Sequence, residues 1–92
     1  MEDGVRVTMA NPPHPGANLR GCIDRHGETV THTAKRLGWS RAKVNRILAG
    51  AGSIHPADAL ALERIGWSSA EFWMRLQVNH DLAKARREAD AA

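Results

Sequence analysis

The chain has 92 residues, 42% of them hydrophobic, a formal net charge of +3 and a single cysteine, Cys22. That is enough for one small domain around one core, and it excludes an internal disulfide. No apolar run approaches the roughly 20 residues that span a bilayer, and no charged-then-apolar leader pattern opens the chain, so a cytoplasmic protein is expected.

Residues 1–11, "MEDGVRVTMAN", lack helical periodicity and are expected to be flexible, with Val5-Arg6-Val7 alternating like a short strand. "PPHPG" at 12–16 delays helix until about Pro15, after which Leu19, Cys22 and Ile23 mark one face of a first helix that stops near Gly27. On this apolar face Cys22 reads as a small buried hydrophobe. A second helix starts at Thr29 as N-cap, buries Val30, Ala34 and Leu37, and ends at Gly38. The third follows Ser40 as N-cap and buries Val44, Ile47 and Leu48, with Gly50 past its end. The fourth follows Pro56 and packs Ala59, Leu60, Leu62 and Ile65. In the fifth, Ser68 and Glu71 have capping-box spacing, and Trp67 and Phe72 are spaced as a hydrophobic staple. "GWSRAKV" and "GWSSAEF" therefore share helix-start chemistry. Residues 84–92 read as a charged tail expected to fray. Five helices with short links predict an all-α domain.

The charge is confined to one segment. Residues 29–57 hold Lys35, Arg36, Arg41, Lys43 and Arg46 and no acid, whereas the remainder carries eight bases against ten acids. A solvated helical face is the ordinary explanation of such a cluster. Spacing favours a more specific one. At 100° per residue, a third helix buried through Val44, Ile47 and Leu48 turns Ala42 and Arg46 outward, with Lys43 and Asn45 on the flanks and Arg41 in the first turn. Arginine can donate twice to a guanine edge, asparagine can pair both ways with adenine, and a small residue allows close approach to a thymine methyl. Two short helices separated by Gly38 fit a helix-turn-helix.

Residues Val30 to Ala49 resemble the helix-turn-helix signature of Xre/Cro-type repressors, with Ala34 at the helix crossing, Gly38 in the turn, and Leu37, Val44 and Ile47 as core anchors. "PPHPG", "LGWSRAKVNRILAG", "ADALALE" and "SAEFWMRLQVNHDL" extend the likeness over residues 12–83 to the HigA/VapI family of antitoxins. The resemblance implies a lambda-repressor-like five-helix domain that represses its own operon as a dimer and neutralises a HigB/RelE-like ribonuclease toxin. By matching positions it implies base contacts from Arg41, Ala42, Lys43, Asn45 and Arg46, and phosphate contacts from Thr29, Thr31 and Ser40. Val30, Thr33 and Ala17 depart from the family pattern, Thr33 standing where a core leucine is usual.

The histidines, His14, His26, His32, His55 and His80, lack the spacing of a strong metal site, and no catalytic set can be assembled, so neither a metal, a cofactor nor an enzyme is expected. The fifth helix holds more apolar surface than one stripe needs. Trp73, Met74 and Leu76 are assigned to a homodimer seam that would set two recognition helices about 34 Å apart on a palindromic operator in double-stranded DNA. The alternatives are a stand-alone Xre-type repressor without a toxin partner and a protein-interaction module that no longer binds DNA.

Overall fold

Five helices follow one another in the computed structural model, which describes residues 13–91: α1 (Pro15–Arg25), α2 (Val30–Leu37), α3 (Arg41–Leu48), α4 (Pro56–Arg64) and α5 (Ala70–Ala91). No strand occurs among the described residues, and residues 1–11, with the alternating Val5-Arg6-Val7, lie outside them. No helix among the described residues is long and apolar enough to cross a membrane.

The starts of α1, α2 and α3 and the end of α2 have local causes. The Thr29 hydroxyl oxygen accepts from the His32 amide and that of Ser40 from the Lys43 amide, both at 3.0 Å. Each such cap contributes about 1 kcal/mol by satisfying one orphan amide of the first turn. Gly38, at φ 76°, ends α2 in the left-handed region where a side chain would be strained. At α1, His14 Nδ1 accepts from the Gly16 amide at 2.9 Å, and Pro15 takes the first helical position, where its missing N–H costs nothing.

The core joins Leu19 and Ile23 of α1, Ala34 and Leu37 of α2, Val44 and Ile47 of α3, Ile54 of the next loop, Leu62 of α4, and the two tryptophans Trp67 and Trp73. Helix α1 packs on α3 and α5, α2 on α3, and α4 on α5. Cys22 is buried among these residues, and burial pushes its thiol pKa up, as fits a small hydrophobe. Gly16 is required where α1 meets α3: a Cβ there would stand 2.1 Å from the Ile47 carbonyl oxygen. The His-Pro-Gly run thus caps, starts and docks α1 in three consecutive residues.

Three local expectations are corrected. Helix α5 is capped by Ser69, whose hydroxyl accepts from the Phe72 amide at 3.1 Å, while Ser68 sits at φ 69° in the preceding turn. The later start carries Trp73 rather than Phe72 beneath that turn. Trp73 is 0% exposed and its indole N–H donates to the Trp67 carbonyl, so it is a core residue and unavailable to a dimer seam. Leu60 is 60% exposed, because Ala59 and Leu62, at i and i+3, share the inward face of α4 and turn it aside. Residues 84–91 continue α5 as exposed helix to Ala91, beyond Ala83, its last buried residue. Leu48, Phe72 and Leu76 pack half-buried against the core.

Thr33, where a leucine was the expected type, is 0% exposed. Its hydroxyl donates to Glu28 Oε1 at 3.0 Å, which removes the penalty of burying it.

Candidate nucleic-acid interface

Helix α3 divides into two faces. Val44 and Ile47 are buried, whereas Arg41, Ala42, Asn45, Arg46 and Ala49 are exposed. The outward arc therefore contains four of the five residues assigned to base contacts. The fifth, Lys43, turns inward. Its ammonium lies 2.6 Å from Asp58 Oδ1 at the start of α4 and 4.7 Å from the centre of the Trp39 ring, with one third of the side chain exposed. Lys43 thus ties α3 to α4, a role that the reading of α3 as a row of base contacts did not include. A charge already paired and packed would have to give up both contacts to reach a base edge.

Asp58 is buried and works in two directions. Its Oδ2 accepts from the His55 amide at 2.9 Å, closing the N-terminus of α4, while Oδ1 holds Lys43. Burial by itself raises a carboxyl pKa, but the Lys43 ammonium and the His55 hydrogen bonds outweigh it and hold Asp58 below its usual value. At the other end of the basic segment, Glu28 receives both the Thr33 hydroxyl and the Arg36 guanidinium. Arg36 also donates to the Ile65 carbonyl at 3.3 Å and stands 5.6 Å from the centre of the Trp67 ring. The two acids that bracket the basic segment in sequence fold back onto two of its five cations.

Lys35, Arg41 and Arg46 remain exposed, without an ion pair among the described residues. Arg46 also edges a recess of about 280 Å³ lined by Lys43, Arg46, Ile47, Gly52, Ser53 and His55. Cationic side chains around a small glycine-serine loop suit an anionic oxygen. Thr29, Thr31 and Ser40, assigned to phosphates, are all exposed at the starts of α2 and α3. Because Thr29 and Ser40 accept from amides, each keeps its hydroxyl proton to donate outward beside the positive end of a helix dipole.

The loop after α3 is held from behind. The Ala51 and Gly52 amides donate to the Arg46 carbonyl at 2.8 and 3.0 Å, and the Ile54 amide donates to Gln77 Oε1 at 2.7 Å. His14 joins this region as well, its ring 4.7 Å from that of His80 in an edge-to-face contact. Burial first, and then His80, lower the His14 pKa and favour the neutral ring that accepts from Gly16. No group of three or more His, Cys, Asp or Glu side chains is arranged to hold a metal among the described residues.

Residue pattern pointed to the outward arc of α3 but missed Glu28, Asp58 and Gln77. Asp58 was detectable as an acid three residues after His55 at a Pro56 helix start. Glu28, in the loop before α2, had no local signal, and the Ile54 amide that Gln77 accepts from lies 23 residues away.

No family model matches the chain. Virulence-associated protein A' of Dichelobacter nodosus is 36% identical over 77 residues, covering 83% of this chain and 67% of that protein. An addiction module antidote protein of the HigA family from Coxiella burnetii is 30% identical, with a TM-score of 0.79 over 88% of this chain and 89% of that one. The Pseudomonas aeruginosa antitoxin HigA, solved with the higBA promoter, is 32% identical, with a TM-score of 0.82 over 88% and 89% of the two chains. Identity and fold agree over nearly the whole length, and the chain belongs to the HigA family of antitoxins.

Proposed function

We propose that this protein is the antitoxin of a toxin-antitoxin pair and the repressor of its own promoter. Its α3 enters the major groove of an operator, and the protein neutralises a ribonuclease toxin of the HigB/RelE type. The observation that carries the DNA half is the outward arc of α3, where Arg41, Asn45 and Arg46 combine exposed donors with the small Ala42 and Ala49. Similarity to an antitoxin solved with its promoter supports the same reading. Phosphate contacts from Thr29, Thr31, Ser40 and the recess beside Arg46 supply salt-sensitive affinity, and the arc of α3 supplies sequence choice.

A two-fold dimer and a palindromic operator belong to this proposal. With Trp73 inside, the seam consists of Met74, which like Leu76 packs half-buried against the core, together with the exposed Leu60, Val78 and Leu82. Met74, Val78 and Leu82, spaced i, i+4 and i+8, lie along one side of α5. They continue an apolar groove bordered by Pro56, Ala59 and Leu60. Replacing Leu60 and Val78 together by glutamate is expected to give monomers in sedimentation velocity and to weaken promoter binding. An unchanged dimer would move the seam elsewhere.

Two measurements test the function. Growth is followed on inducing the reading frame adjacent to this gene, alone and with this protein, and a footprint is taken on the promoter. Arrest relieved by co-expression, with a protected palindrome, is the expected result. A protected promoter beside a harmless neighbour would leave a stand-alone repressor.

A further inference from the structure

Three polar or charged side chains are buried among the described residues: Thr33, Asp58 and Gln77. Thr33 in α2 and Asp58 at the start of α4 fasten the helix-turn-helix itself. Gln77, on α5, instead holds the loop that follows it.

Its geometry admits one orientation. The Ile54 amide can only donate, so the Gln77 oxygen must face it, at 2.7 Å, which turns the NH₂ group toward Asp81 Oδ1 at 2.9 Å, an acceptor when ionised. Gln77 is 4% exposed and Ile54 1% exposed, so water cannot readily replace either partner. Ile54 stands between Ser53 and His55, which line the recess beside Arg46, and two residues after Gly52, whose amide bonds to the Arg46 carbonyl. On the same face of α5, His80 meets the His14 ring that caps α1. Residues 77, 80 and 81 are spaced i, i+3 and i+4, so one side of α5 grips both the loop behind the recognition helix and the start of the helix packed against it.

We infer that Gln77, oriented by Asp81, is a positioning residue for DNA binding, a latch through which α5 sets the 50–55 loop and with it the pose of Arg46 in the groove. It touches no DNA itself. The inference rests on the proposed DNA-binding role, and the test separates the two.

Gln77→Glu keeps an oxygen for Ile54 but turns a second carboxylate toward Asp81, and is expected to weaken binding to the protein's own promoter duplex about tenfold. Asp81→Asn in the same chain restores a donor between the two groups. The double variant Gln77→Glu/Asp81→Asn is expected to regain promoter affinity and the slow amide exchange of Ile54 lost in the single variant. Thermal melts and binding to an unrelated duplex run alongside, since a merely structural defect would lower stability and both DNA affinities together. Unchanged Ile54 exchange in Gln77→Glu, or a double variant no better than the single one, overturns the latch. A wild-type protein that ignores its promoter overturns the DNA reading instead, and the exchange measurement still decides the latch.

Discussion

Lys43 and Arg46 lie three residues apart on a helix of eight, carry the same charge, and have opposite duties. Lys43 is bonded to Asp58 and packed over Trp39, whereas Arg46 is exposed beside an open recess. The difference teaches that a count of cations overstates the field available to a polyanion. Of the five bases in the segment, Arg36 and Lys43 are spent on internal pairs, and Lys35, Arg41 and Arg46 stay exposed. Folding stability should follow the inward face of α3, and operator affinity the outward one.

Three substitutions put that division to the test. The largest effect is expected at Gly16→Ala, because the new methyl meets backbone, which cannot rotate away. A loss of about 2 to 3 kcal/mol in urea denaturation is expected, with operator affinity falling only as the fold does. A fully stable variant would mean that α1 can slide along α3. Arg46→Ala is expected to do the reverse, leaving the melt nearly unchanged and costing roughly 1 to 3 kcal/mol at the operator, with far less on unrelated DNA. Equal losses on both duplexes would make Arg46 a phosphate contact.

The smallest effect is expected at Asp58→Asn, which preserves an acceptor for the His55 amide but removes the charge that holds Lys43. A stability loss of about 1 kcal/mol at neutral pH is expected. Because the folded carboxyl titrates below its unfolded value near 3.9, its contribution is complete above that value and is lost as the pH falls below it. Wild type and variant should therefore converge in stability only in acid. A gap that persists at low pH would show that the Lys43–Asp58 pair is not its source.

The Gly-Trp-Ser pair shows where local reasoning stops. After both glycines, Gly38 and Gly66, the tryptophan amide returns to the preceding helix, at 2.9 Å to Ala34 and 3.0 Å to Leu62, as glycine stop chemistry requires. The next helix then begins one residue apart in the two copies, at Ser40 and at Ser69. The second start adds to its Ser69 cap contacts that reach back across the turn: Glu63 Oε1 accepts from the Ala70 amide at 2.7 Å, and the Trp73 indole donates to the Trp67 carbonyl. Identical tripeptides fix identical stops, but not identical starts.

By itself, the amino-acid order determined the number of helices, their caps at Thr29 and Ser40, the buried stripe of α3 and the outward arc opposite it. All of these follow from periodicity and from hydrogen bonds spanning three or four residues. Tertiary structure alone decided that Trp73 belongs to the core, that Leu60 lies outside it, that Lys43 faces Asp58 across 15 residues, and that Gln77 holds the Ile54 amide across 23. The reason is physical. A helix period says which residues share a face, whereas the pairing of a charge or a buried amide depends on which distant group packing brings within about 3 Å.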